Sequence, residues 1–367
     1  MILERAIRLA VVLSGLAAAQ QPPTEVTRLN NEAVRLGNEG KYEESERAYR
    51  AALVLKLEDD LTRAKIDGNL AGLYKSLDRY ADAERMYRQA LELRRKNLPP
   101  ASPEIAYSLD DLAQTYWAEG RYWEARNLLE AAVQALEKSD PPDPRLPLIL
   151  NNLAVIRSEF HEYDQAEKLL RRALSSCEDL HGPGSREFAT ALNNLAQVME
   201  ARKDFDNAGL LYSRAIGIFE SLGPIATADL AATLANLGHM YRQQNQCEEA
   251  ERTEKRALAV LDFSSQINAP VRATILHNLG NIVAANGSAE ASLPYFDQSL
   301  AIREKTLAPE HPAIISVLLD YAKATFRAGR KSLAKQLQKR AERLLSLRNS
   351  QDLSQHSISL SDLRSER

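Results

Sequence analysis

At 367 residues, 44% apolar and 26% charged, the sequence has the composition of a water-soluble folded protein longer than one ordinary domain. Its net charge of -3 excludes a strong general attraction to nucleic acid. Two cysteines, Cys177 and Cys247, are too few for a disulfide framework or a cysteine zinc site. Aromatic residues make up only 6%, and alanine and leucine dominate the apolar material, which favours close-packed helices over sheets.

The first residues stand apart. Arg5 and Arg8 precede an apolar run over 9–16, then Ala17, Ala18 and Ala19 lead into Gln20-Gln21-Pro22-Pro23. This is the pattern of a secretory signal, residues 1–19, cleaved after Ala19. It predicts export to the periplasm or medium; the alternative is an extra capping helix on a cytoplasmic protein. The apolar run is too short for a permanent anchor, so no stable membrane span is expected.

From there on a single phrase recurs. Asn69-Leu70-Ala71-x-x-Tyr74 is followed by Arg79-Tyr80-x-x-Ala83-Glu84-x-x-Tyr87-x-x-Ala90-Leu91. Aligned on its first residue, the copies begin at Asn31, Asn69, Asp111, Asn152, Asn194, Asn236, Asn278 and Asp320, mostly 42 residues apart. Fourteen positions later stands a small residue in each copy: Ser45, Ala83, Ala125, Ala166, Ala208, Ala250, Ser292 and Ala334. Eight copies in one register are an internal repeat.

Apolar residues at helical spacing predict two helices per unit. The first helix should stop where Gly40, Gly120, Gly287 and Gly329 stand, because a left-handed C-cap favours glycine. Asp78 and Asn245 suit that conformation, His161 and Lys203 less so. The small residue is expected where the two helices of a hairpin touch. Prolines such as Pro99, Pro142, Pro183, Pro224, Pro270 and Pro309 mark the links between hairpins. Pro294 falls inside a second helix and is expected within about its first turn. After residue 348 the sequence has few large apolar residues, so 349–367 should be a disordered tail.

The recurrent phrase resembles the tetratricopeptide repeat, and the 42-residue spacing with links such as Leu307-Ala-Pro-Glu-His311-Pro312 resembles the long variant of kinesin light chains and many bacterial proteins. The likeness covers nearly all of residues 24–348. It departs from the pattern at Cys247, Ala289 and Lys331, which stand at a tyrosine position. The resemblance implies an all-α fold, an α-α superhelix of about eight hairpins that binds a protein or extended peptide in a concave groove. The residue pattern agrees independently, since one hairpin cannot bury its apolar stripe without neighbours.

With Leu70, Ala71 and Tyr74 toward the core, the opposite stripe contains the phrase's first residue. Asn31, Asn69, Asn152, Asn194, Asn236 and Asn278 would form a ladder of amides matching the family's peptide-bonding position, interrupted by Asp111 and Asp320. The ladder suits an extended backbone; equally, it suits stitching between repeats. Beside it lie Gln197, His239 and Asn281. The third unit offers Tyr107, Gln114 and Trp117, with Trp123 just beyond, as an aromatic hot spot or as plugs in the seam. His239 and His277 could respond to pH, but without a third ligand they make no metal site. The basic pair that captures C-terminal carboxylates in some relatives is not evident, since only Lys65 matches.

The motifs of metalloproteases, P-loop nucleotide enzymes and serine hydrolases are absent from the sequence. The reading is therefore a non-catalytic scaffold needing no cofactor, with a self-associating structural protein or a cytoplasmic regulator as alternatives.

Overall fold

The structure, a computed structural model, describes residues 24–55, 59–77, 79–138, 143–262, 269–307, 309 and 311–355, with side chains as far as residue 347. The signal pattern at 1–19, Asp78, and the last residues of the sequence lie outside these. Among the described residues the fold is all-α.

The chain divides into two compact units, with the sequence boundary between Asp143 and Pro144. The first holds three hairpins: α1 (Glu25–Asn38) with α2 (Tyr42–Val54), α3 (Asp60–Ser76) with α4 (Tyr80–Asn97), and α5 (Pro103–Ala118) with α6 (Tyr122–Leu136). The second holds five. They are α7 (Leu146–Glu159) with α8 (Tyr163–His181), and α9 (Arg186–Ala201) with α10 (Phe205–Leu222). Next come α11 (Thr227–Gln243) with α12 (Cys247–Asp262), and α13 (Ala269–Ala285) with α14 (Ala289–Thr306). The last pair is α15 (Pro312–Arg327) with α16 (Lys331–Gln355). Each hairpin is one copy of the repeated phrase.

Local chemistry sets these boundaries. Thr24, Asp59 and Ser185 cap helix N-termini by accepting the backbone N–H three residues on. Gly40, Gly120, Gly287 and Gly329 end first helices at positive φ, between 75° and 84°. After Gly40, the Lys41 N–H returns to the Leu36 carbonyl at 2.9 Å, satisfying an orphan acceptor. His161, Lys203 and Asn245 hold the same left-handed turn at φ 58° to 64° without glycine's freedom. The small residue fourteen positions into each phrase is buried in every hairpin, and Ser45 donates its hydroxyl to the Ala33 carbonyl at 2.7 Å. A larger side chain there would force the two helices apart.

Two expectations need adjusting. Pro294 sits in the second turn of α14, beyond the first. Its side is exposed, so the carbonyl left without a helical donor can meet water. Helix α16 continues past residue 348 to Gln355. Among the described residues one stretch, Phe205–Gln243, is long and apolar enough to suit a bilayer by length and composition. Gly223, at φ 67°, breaks it into α10 and α11, which bury Tyr212, Ile216, Phe219, Leu234 and Met240 in the core while Leu210 stays exposed.

Candidate functional site

The first helices α1, α3 and α5, and likewise α7, α9, α11, α13 and α15 in the second unit, carry the polar stripe read from the sequence. Most of the asparagines on it lie half-buried, and Asn69, Asn194 and Asn236 bond across successive repeats. Asn69 Nδ2 donates to Asn30 Oδ1 at 2.9 Å, and Asn194 Nδ2 donates to Asn151 Oδ1 at 2.9 Å. Asn236 Nδ2 donates to Asn193 Oδ1 at 3.0 Å, and Asn193 Nδ2 passes on to Asn194 Oδ1 at 3.0 Å. The amides thus run head to tail, Asn236 to Asn193 to Asn194 to Asn151, over three hairpins. Gln197 is exposed beside them, its Nε2 3.4 Å from Asn194 Oδ1. Asn152 is half-buried on α7, next to the acceptor Asn151.

The stripe differs in the first hairpin and in the last two. Asn31, on α1, is exposed and receives only a long bond from Asn30, 3.4 Å. Asn278 turns away from the neighbouring first helices to donate to Glu254 Oε1 on α12 at 2.7 Å. Asn281 and His277 both reach Asp320, at 3.3 and 3.0 Å, and Lys323 Nζ donates to the same carboxylate at 3.0 Å. Burial alone would raise the Asp320 pKa. The bonds from His277 and Lys323 outweigh it and hold the group at about 2.

His239 belongs to a different carboxylate. Its Nδ1 lies 2.7 Å from Glu200 Oε1, which also accepts from Gln243 Nε2 at 2.6 Å. The second oxygen of Glu200 accepts the Tyr212 hydroxyl at 2.7 Å. The two histidines of the stripe are therefore held by separate carboxylates. Among the described residues no three metal-ligating side chains come together. Cys177 is buried, and burial pushes its thiol up to about 11; Cys247 is half-buried.

In the third hairpin Gln114 accepts from Lys75 Nζ at 3.0 Å and donates to Asp110 Oδ2 at 3.0 Å, while Tyr107 donates to Asp143 Oδ2 at 2.7 Å. Asp111 is half-buried, one residue beyond Asp110. Trp117 and Trp123 are 44% and 57% exposed, so neither plugs a seam, and the Arg126 guanidinium lies 4.0 Å over the Trp123 ring.

Sequence reasoning missed the acceptors. Asn30, Asn151 and Asn193 each precede the phrase's first residue, and the doublets Asn30-Asn31, Asn151-Asn152 and Asn193-Asn194 were a readable signal. Glu200 had no such signal, because its partners come from 12, 39 and 43 residues away.

Comparison with known proteins is consistent with this geometry. Two tetratricopeptide-repeat family profiles match, one over residues 62–138, 145–221 and 271–346, the other over 230–261. The mitochondrial tetratricopeptide repeat protein 19 of Homo sapiens is 29% identical over 98 residues, 27% of this chain and 25% of that protein. The chain thus spans about a quarter of the length of that curated relative. A Rap protein complexed with Competence and Sporulation Factor superposes with TM-score 0.61 at 14% identity, over 90% of each chain. A tetratricopeptide repeat protein from Parabacteroides merdae gives 0.55 at 15% identity, over 87% of this chain and 100% of that one. At such identities these structures establish the fold. The register of eight hairpins, the small residue at each crossing and the family profiles, which match most of the chain, together make this a member of the tetratricopeptide repeat family.

Proposed function

We propose that the chain is a non-catalytic protein-binding scaffold that holds an extended segment of a partner along the first helices of each unit. The observation that carries this is the amide seam. An asparagine amide offers two N–H groups, and Asn69, Asn194 and Asn236 each spend one on the neighbouring repeat. The other suits a backbone carbonyl laid across the seam, so one row of side chains can both stiffen the stack and receive an extended chain. The solved complex of a Rap protein of the same fold with Competence and Sporulation Factor supports a bound partner in general.

The test uses exposed positions that leave the seam closed. Gln197→Ala and Trp117→Ala should each reduce capture of partner protein from a lysate by about fivefold or more, with melting unchanged. The same proteins recovered at full yield would overturn the groove reading. Export is part of the proposal, resting on the basic start and apolar run of residues 1–19. Mass spectrometry of the mature protein should find Gln20 first, and a start at Met1 would exclude it.

A further inference from the structure

Between α7 and α9, with α8 beneath, lies a recess of about 220 Å³ on the stripe that carries the amide seam. Its floor is Leu170 and Val155, and its rim holds Glu159, Asn194 and Gln197. The next repeat shows why it is open. One repeat on, the places of Ser158, Leu170 and Ala201 are taken by Glu200, Tyr212 and Gln243. There the carboxylate accepts from the phenol hydroxyl and the amide and meets His239, so bulkier, mutually bonded side chains occupy the corresponding place. Between the fourth and fifth hairpins a short hydroxyl (Ser158), an aliphatic side chain (Leu170) and a methyl group (Ala201) stand in their places and bring none of those polar atoms.

Resting on the groove reading above, we infer that this recess takes a basic side chain of the bound segment, arginine by preference. Charge decides the sign of the occupant. Among the described residues Glu159 forms no ion pair, whereas the nearby cations are already matched: Arg157 with Glu162, and Arg202 with Glu167 at 2.6 Å. The rim adds acceptors in the Gln197 amide oxygen and the Ser158 hydroxyl, which suits a guanidinium with five donors and no acceptor. The wall fits the stem. Tyr163 lines it, with its ring set edge-on to His161 and its hydroxyl 2.7 Å from His161 Nδ1. His161 keeps that position in a left-handed backbone conformation that glycine holds in four other hairpins. An aliphatic stem laid on Tyr163, Val155 and Leu170 brings its cation to Glu159.

The probe is a set of capped heptapeptide pools, random except for a central residue fixed as Arg, Glu, Leu or Ser, retained on the immobilised full chain. The Arg pool should be retained about tenfold more strongly than the Glu pool. Glu159→Gln, an exposed and isosteric change, should remove most of that preference. Ala201→Gln, which restores the amide found one repeat later, should remove it as well by filling the recess. Both variants should keep the wild-type circular-dichroism melt. If all pools bind alike, or if the Arg preference survives both variants, the inference is wrong while the groove reading stands. If no pool is retained at all, both fall.

Discussion

The fifth and sixth hairpins share a register, yet they place opposite chemistry at the same buried point. On α10 the position holds Tyr212, fully buried, with its hydroxyl bonded to Glu200. On α12 it holds Glu254, also fully buried, with Oε1 accepting from Asn278 and Oε2 without a partner among the described residues. An aromatic ring gains from leaving water; a carboxylate does not. Burial pushes the Glu254 carboxyl up to about 8, against the opposing bond from Asn278 and the charge of Arg242. The first helix adapts as well, because Gly238 stands where the other hairpin has Ala196, and a Cβ there would lie 2.9 Å from Glu254 Cγ. One repeat frame can therefore hide a closed polar network in one hairpin and a half-satisfied acid in the next.

Truncation should separate the two most strongly. Tyr212→Ala opens a cavity and strips Glu200 of a donor, and should destabilise α9 to α11 by about 3–5 kcal/mol in denaturant melts followed by hydrogen exchange. Glu254→Ala opens a cavity too, but it also removes a poorly solvated acid. At pH 9 it should cost under about 1 kcal/mol. Equal losses would break the comparison.

Dependence on pH comes next. The folded Glu254 value, about 8, lies above the ordinary 4.5. The sixth hairpin therefore keeps its full stability below about pH 4.5, and loses it as pH rises through about 8. The loss between pH 5 and 9 should be on the order of 3 kcal/mol. Glu254→Gln should flatten the profile, and a slope of unchanged size in that variant would assign the titration elsewhere.

A third change tests how the first helix is fitted to the second. Gly280 opposes Phe296, and an added Cβ would lie 2.8 Å from that fully buried ring. Tyr321 stacks on Phe296 at 5.7 Å and His277 meets its edge, so the ring cannot withdraw. Gly280→Ala should cost about 1–3 kcal/mol, although alanine is the usual residue at this position. Neutrality would mean that the ring yields.

The sequence made the hairpins legible because their determinants are local. Glycine at a left-handed turn, a small residue at each crossing and an apolar stripe at helical spacing can all be read within 42 residues. The stripe that faces away from the core was legible for the same reason. Its use was harder to read, since the acceptors for Asn69, Asn194 and Asn236 lie 39 or 43 residues away. Glu254 could have been flagged as a carboxylate standing where Tyr49, Tyr87, Tyr212 and Phe296 stand. That it would be wholly buried with one oxygen unmatched depends on packing from three helices, α11, α12 and α13.

The smallest expected effect bears on the seam itself. Asn194 sits at the middle of the head-to-tail amides, donating to Asn151 and accepting from Asn193, whereas Asn31 lies exposed at the end of its row. Asn194→Ala leaves the buried Asn151 oxygen without that donor, and should cost about 1 kcal/mol. Asn31→Ala removes a long, solvated contact and should be neutral within about 0.5 kcal/mol. Measured together by denaturant melts, the pair divides what the amide row contributes to stacking from what it leaves for a ligand. If both prove neutral, the seam contributes little to the stack, and its regular spacing has to be explained by binding alone.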